Sequence, residues 1–158
     1  MLSNQKTAEE IIMMISTRGR YVLRILLDIA EHQGEGYVSL KDSAERQEIS
    51  KKYLEQIVII PDVSKMLEAK GGKNGGYRLA KSADEYTVGE VLRAAEGSLS
   101  PVACLEINHS PCARSADCIA LPVWKGLDKI INEYLDGMTL QDVLDKKPGY
   151  DGGDNYVI

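Results

Sequence analysis

The segment Gly71-Gly72-Lys73-Asn74-Gly75-Gly76 constrains the fold of this chain more than any other. A run so rich in glycine loses too much backbone entropy to hold a helix or a strand, so it must be a turn. Strand-like runs flank it, residues 66–69 before and Tyr77-Arg78-Leu79-Ala80 after, and the pair reads as a two-stranded wing. Just upstream, Ser39 is placed to cap a helix over 40–47, with Asp42 near its free N–H groups. Glu48 and Ile49 turn the chain, and Ser50 caps a second helix beginning at Lys51. Leu54, Ile57 and Val58 follow the spacing of one buried helical face, which leaves Lys51, Lys52, Tyr53, Glu55 and Gln56 largely on the others. A short capped helix, a tight turn and a second helix with a polar face form a helix-turn-helix pattern. Pro61 and Ser64-Lys65 predict an early end or a kink after that second helix.

Two helices at this spacing are common. YLEQI followed by a glycine-rich hairpin and GGYRLA is a sharper signature. The combination resembles the IscR/NsrR/CymR-type family of winged helix-turn-helix transcription regulators, from Ile15-Ser16-Thr17-Arg18-Gly19-Arg20-Tyr21 to about Leu144. The resemblance implies a mostly α fold with a small β wing, a long dimerisation helix, and a homodimer on a double-stranded DNA operator. It departs from the family at the wing, where an Arg usually precedes the turn glycine. Here Ala69-Lys70-Gly71-Gly72 stands in that place, so any wing contact falls to Lys70, Lys73 or Arg78.

A formal net charge of −5 argues against nucleic acid only when read globally. Residues 17–81 hold twelve Lys and Arg against nine Asp and Glu, whereas the remainder holds seven against fifteen. The basic share falls on the expected DNA-binding part, as phosphate contact requires. Arg18, Arg20 and Arg24 crowd the start of a first helix predicted over 18–33, capped by Thr17 and stopped by Gly34. Basic residues there oppose the helix dipole, so phosphate contact explains them better than helix stability does. Leu23, Leu26, Leu27 and Ala30 read as its core stripe, and Tyr37-Val38 as a short strand beside the wing. In the second helix of the motif, Gln56 suits adenine, Glu55 suits the cytosine amino group, and Lys51 and Lys52 suit phosphate or guanine; Ser39 and Ser50 complete the candidates. Tyr53 suits either a base edge or packing beneath the helix.

Thr87 and Glu90 form a capping box for a helix over 88–96, closed by Gly97, with Val88, Val91, Leu92 and Ala95 as its apolar face. Beyond it all three cysteines of the chain, Cys104, Cys112 and Cys118, fall within fifteen residues. Their spacing is not that of a zinc knuckle, although three thiols on one polar loop can converge on a soft metal. The family resemblance implies that they ligate an iron–sulfur cluster, either 2Fe–2S or 4Fe–4S, with a fourth ligand that is not cysteine. His109, Glu106, Asp117 or a partner residue could complete the shell. Packed thiols, a reversible disulfide switch and a Cys3His zinc site with His109 are the competing readings.

A long amphipathic helix follows over 121–136, with Pro122 in its first turn and Gly137 at its end. Its stripe of Val123, Trp124, Leu127, Ile130, Ile131, Tyr134 and Leu135 is wider than a small winged helix can cover, which points to a helix-pair dimer interface. Thr139 and Asp142 cap a last short helix to about Leu144. The division expected is an extension over 1–13, a DNA-binding domain over 14–98, a cysteine sensor loop over 99–119, dimerisation helices over 120–145 and a flexible tail over 146–158. The tail closes on Tyr156, Val157 and Ile158. That ending is similar to the C-termini of serine acetyltransferases and of cysteine-metabolism repressors in the same family, and implies capture by O-acetylserine sulfhydrylase.

No apolar run approaches the ~20 residues of a membrane span, and no basic region leads into a long apolar stretch, so a cytoplasmic protein with reduced thiols is expected. An enzyme is a poor reading. His32 and His109 are the only histidines, neither lies beside a convincing nucleophile, and the glycine run lacks the following helix of a phosphate loop.

Overall fold

The computed structural model describes residues 15–106 and 112–146. Helix α1 (Thr17–His32) leads into α2 (Leu40–Gln47) and α3 (Lys51–Val58), followed by a single turn, α4 (Pro61–Ser64). Strands β1 (Leu67–Lys70) and β2 (Gly76–Leu79) form an antiparallel pair, and α5 (Val88–Glu96) follows. A 3₁₀ turn (Ala103–Leu105) lies in the cysteine loop, and α6 (Leu121–Asp136) and α7 (Leu140–Asp145) close the described chain. This is a winged helix-turn-helix with a long helix appended.

Local chemistry sets most boundaries. Ser39 Oγ accepts from Asp42 N–H at 3.1 Å, Ser50 Oγ from Tyr53 N–H at 3.2 Å, and both Thr87–Glu90 and Thr139–Asp142 close reciprocal capping boxes. Glu48 takes the left-handed conformation (φ 54°) that ends α2, and Pro61 opens α4 where its missing N–H is harmless. The wing pairs Leu67 with Leu79 and Glu68 with Arg78. Gly76 is required there: at φ 149°, an added Cβ would lie 2.1 Å from the Val38 carbonyl oxygen, on the residue that bridges to Tyr77.

Four expectations need correcting. Ser16, not Thr17, caps α1, because its Oγ accepts from Gly19 N–H at 3.2 Å and Thr17 is already helical. The core stripe of α1 is rotated: Val22, Ile25, Leu26 and Ile29 are fully buried, while Leu23, Leu27 and Ala30 are only partly buried at its flank. Both faces of α1 carry aliphatic residues, so periodicity alone could not choose between them. The first wing strand begins at Leu67 rather than at residue 66, because the α4 turn intervenes and Met66 N–H still bonds back to Val63. The second begins one residue early, at Gly76.

The core gathers Val22, Ile25, Leu26 and Ile29 from α1, Leu54, Ile57 and Val58 from α3, Val63, Leu67 and Leu79 from α4 and the wing, and Val91 and Ala95 from α5. Leu140 of α7 is fully buried in the same cluster. Two backbone bonds pin this return, Val88 N–H to the Met138 carbonyl and Leu140 N–H to the Tyr86 carbonyl, both at 2.9 Å.

Between α1 and the first helix of the helix-turn-helix sits a buried carboxylate, Asp28. It accepts from Ser43 Oγ at 2.7 Å, from Arg46 at 3.0 and 2.8 Å, and from Gln47 Nε2 at 3.0 Å, and so locks α2 onto α1. Burial pushes its pKa up, but the bonds from Arg46, Ser43 and Gln47 and the Arg46 charge outweigh that and hold it below the usual aspartate value.

Candidate nucleic-acid interface and cysteine loop

Helix α3 buries Leu54, Ile57 and Val58 and thereby turns Lys51, Lys52, Glu55 and Gln56 to solvent. Lys51 Nζ lies 3.6 Å from Glu55 Oε1, one turn on. The Tyr53 ring packs edge-on against Tyr21, with centroids 5.7 Å apart, so its ring serves the α1–α3 contact. The hydroxyls of Ser39 and Ser50 cap their helices.

The start of α1 adjoins this face. Arg18 lines an open cleft of about 590 Å³ with Ser16, Thr17, Tyr53, Gln56, Ile57 and Ile60, which places one of the basic residues of α1 beside the polar edge of α3. Arg20 is exposed and donates to Thr17 Oγ1 at 3.0 Å. Arg24 is used differently from its neighbours: its guanidinium donates to the Gln47 side chain at 3.2 Å and to the Gln47 carbonyl oxygen, 5.3 Å over the Tyr21 ring. It caps the negative end of α2, a structural task beside the phosphate contact expected of it.

On the wing, the three candidate cations are not equivalent. Arg78 donates to Glu68 across the strands at 2.6 Å and lies 4.8 Å over the Tyr37 ring. The Glu68 hydrogen bond and charge raise its pKa above the usual arginine value. Lys70 Nζ stands 5.5 Å from the same ring, and Lys73 is exposed in the turn. Lys73 is therefore the wing cation most open to a phosphate, and Arg78 the one most occupied within the chain.

The long helix α6 has no buried residue. Its stripe divides in two. Leu127, Ile131 and Leu135 are half-buried, whereas Val123 (61% exposed), Trp124 (36%), Ile130 (64%) and Tyr134 (60%) face solvent. Helix α6 docks on α5 through Arg93, which forks onto both Asp136 carboxylate oxygens at 2.8 Å and onto Asn132 Oδ1 at 2.6 Å. The Arg93 hydrogen bond and charge hold Asp136 below the usual aspartate value.

Cys104 and Cys112 are exposed, Cys118 is half-buried, and all three are free thiols. Thiolates are the right donors for an iron–sulfur cluster. In this geometry, however, they do not come together: no group of three or more Cys, His, Asp or Glu able to hold a metal exists among the described residues. Of the candidate fourth ligands, Glu106 and Asp117 are exposed, and His109 lies outside the described residues. So do the extension over 1–13 and the tail residues Tyr156, Val157 and Ile158 proposed for O-acetylserine sulfhydrylase. No helix is long and apolar enough to cross a membrane among the described residues.

Sequence reasoning missed Asp28, Arg93 and Glu96 as organising residues. Asp28 left one signal, an acid inside the apolar run Ile25-Leu26-Leu27-Asp28-Ile29-Ala30. The partners of Arg93 and Glu96 lie 43 and 80 residues away in sequence, where no periodic pattern reaches.

A capped helix-turn-helix with an exposed polar second helix, basic residues beside it and a two-stranded wing defines a DNA-binding transcription regulator. The comparisons agree. Residues 15–146 match the Rrf2 family, described as an iron-dependent transcriptional regulator, and the chain belongs to that family. It is 40% identical over 132 residues to protein rrf2 of Nitratidesulfovibrio vulgaris strain Hildenborough, covering 84% of this chain and 87% of that one. It is 36% identical over 137 residues to the HTH-type transcriptional regulator CymR of Bacillus subtilis, covering 87% and 94%. Among solved structures, the B. subtilis CymR, described as its global cysteine regulator, superposes with a TM-score of 0.68 at 34% identity, covering 85% of this chain and 98% of that one. T. potens IscR gives the same TM-score and identity, covering 90% and 94%. These relatives are regulators rather than enzymes. Regulators of this family bind DNA and are typically dimers.

Proposed function

We propose that two copies of this chain bind a near-palindromic duplex operator and repress transcription, each laying α3 in a major groove, with half-sites ~34 Å apart. The observation that carries this reading is the exposed face of α3, where Lys51, Lys52 and Gln56 stand clear of the core beside Arg18. Gln56 is the candidate for a base edge, Lys51 and Lys52 for phosphate or guanine, and Arg18, Arg20 and Lys73 for phosphate. Lys70 and Arg78 are secondary, because Tyr37 and Glu68 already engage them. The solvent-facing stripe of α6 takes the second copy.

The finer proposal is that the loop spanning 104–118 senses iron–sulfur or redox status and sets DNA affinity. Cys104, Cys112 and Cys118 are the residues that would hold a cluster, which supplies an oxidation-sensitive centre when bound. The family description as an iron-dependent regulator and the similarity to IscR support it. A second reading, a cysteine switch without a cluster, draws its support from the likeness to a Staphylococcus aureus CymR solved in an oxidized form (29% identity, TM-score 0.62). An anaerobic absorption spectrum with iron and sulfide assays separates the two. Stoichiometric iron and sulfide lost in a Cys112→Ser variant support the cluster. Protein free of both, whose DNA affinity still changes on thiol oxidation, supports the switch. Absence of both responses removes the loop from the account.

A further inference from the structure

Two helices carry charge at the wrong end. Arg18 and Arg20 lie in the first turn of α1, against its positive pole, and Glu96 is the last residue of α5, against its negative pole. The structure brings these misplacements together. Ser16, the cap of α1, donates its N–H to Glu96 Oε1 at 3.0 Å and its hydroxyl to the same oxygen, while Ser16 Oγ accepts from Gly19 N–H. The carboxylate of α5 thus sits on the N-terminus of α1, one turn from the arginines. Gly19 makes room for it: a Cβ there would lie 2.1 Å from Glu96 Oε1, with the Ile15 side chain 3.1 Å away. The residue after Glu96 is Gly97, at φ 84°, where α5 ends and the chain leaves for the cysteine loop.

We infer that Glu96 is a positioning residue for DNA binding. It holds the first turn of α1 so that Arg18, in the cleft with Gln56 and Tyr53, and Arg20 meet the duplex backbone, and it ties that turn to the segment leading into the cysteine loop. This rests on the DNA-binding reading above and adds the residue that sets the pose of the α1 cations. A purely electrostatic role has the opposite sign. Removing an acid near a phosphate-binding surface strengthens binding, whereas removing a positioning residue weakens it.

The test measures the affinity of the full chain for a mixed-sequence duplex of ~30 base pairs over a range of salt, which reads phosphate contacts without needing the operator. Glu96→Ala is expected to bind ~5- to 10-fold more weakly and to lower the salt slope by about one. Gly19→Ala displaces the carboxylate without deleting it and favours the helix, so it is expected to keep or raise the melting temperature while weakening DNA binding in the same way. Glu96→Gln retains an oxygen acceptor for Ser16 and is expected to stay close to the parent chain. In an Arg18→Ala/Arg20→Ala background, Glu96→Ala is expected to have no further effect. Folded Glu96→Ala and Gly19→Ala proteins that bind the parent's duplex as tightly as the parent, or more tightly, with an unchanged slope, overturn the inference alone. A parent chain with no salt-dependent binding, indifferent also to Lys51→Ala/Lys52→Ala, overturns the DNA-binding reading and this inference with it.

Discussion

Helices α1 and α6 are both sixteen residues long and both amphipathic, yet they end in opposite situations. Helix α1 buries six residues in the core of its own chain, while α6 buries none and leaves Val123, Ile130 and Tyr134 more than half exposed. The difference is one of coverage. Helix α1 is enclosed by α2, α3, α5 and the wing, whereas α6 leans on α5 along one edge and is fixed by the Arg93 fork. An apolar stripe in a sequence states how much surface wants cover, and only the fold states whether the same chain supplies it.

The contrast can be broken most forcefully at the core side. Leu26→Ala, fully buried in α1, is expected to cost about 2–5 kcal/mol of unfolding free energy, read by urea titration, independently of protein concentration. Ile130→Asp on α6 is expected to leave the fold of each copy intact but to dissociate the pair, lowering operator affinity by about 100-fold, or ~2.7 kcal/mol. Sedimentation equilibrium checks it: a 17.4 kDa species in place of twice that mass supports the assignment, and an unchanged mass contradicts it.

Acid separates the two regions more gently. Asp28 is held below the ordinary value of 3.8, so it binds fewer protons folded than unfolded near that value. Its stabilisation is complete above the ordinary aspartate value and is lost as the pH falls through its lowered folded pKa. Asp136, held down by Arg93, follows the same sign but is nearly half exposed and more screened by solvent. Asp28→Asn is therefore expected to flatten the acid limb of a stability-against-pH curve more than Asp136→Asn does. The smallest effect belongs to the surface of α3. Lys51→Ala and Lys52→Ala are each expected to reduce the salt slope of DNA binding by about one, with little change in melting temperature.

The same division governs what the sequence could reveal. The capped helices around Ser39, Ser50, Thr87 and Thr139 and the glycine turn at 71–76 were readable because caps and turns are written in adjacent residues. So was the exposed side of α3, since Leu54, Ile57 and Val58 fix its orientation. The buried face of α1 was not, because Leu23 and Leu27 are as apolar as Val22 and Ile25, and the choice is made by distant partners in α3 and α5. The structural task of Arg24 is hidden in the sequence for a related reason: its acceptor, the end of α2, is 23 residues on, and nothing local distinguishes it from Arg18 or Arg20. Cys104, Cys112 and Cys118 advertise a common task by proximity in sequence, but proximity does not itself fix convergence, and among the described residues they form no metal-holding group.

The proposed function rests on two outward faces, a polar one on α3 for the duplex and an apolar one on α6 for a second copy. Selecting bound duplexes from a random-sequence pool with the purified full chain, then mapping protection on the recovered DNA, tests both together. The predicted result is an inverted repeat with two protected patches about 10 base pairs apart, both lost in Ile130→Asp. Recovery of unrepeated sequences, or protection unaffected by Ile130→Asp, would contradict it.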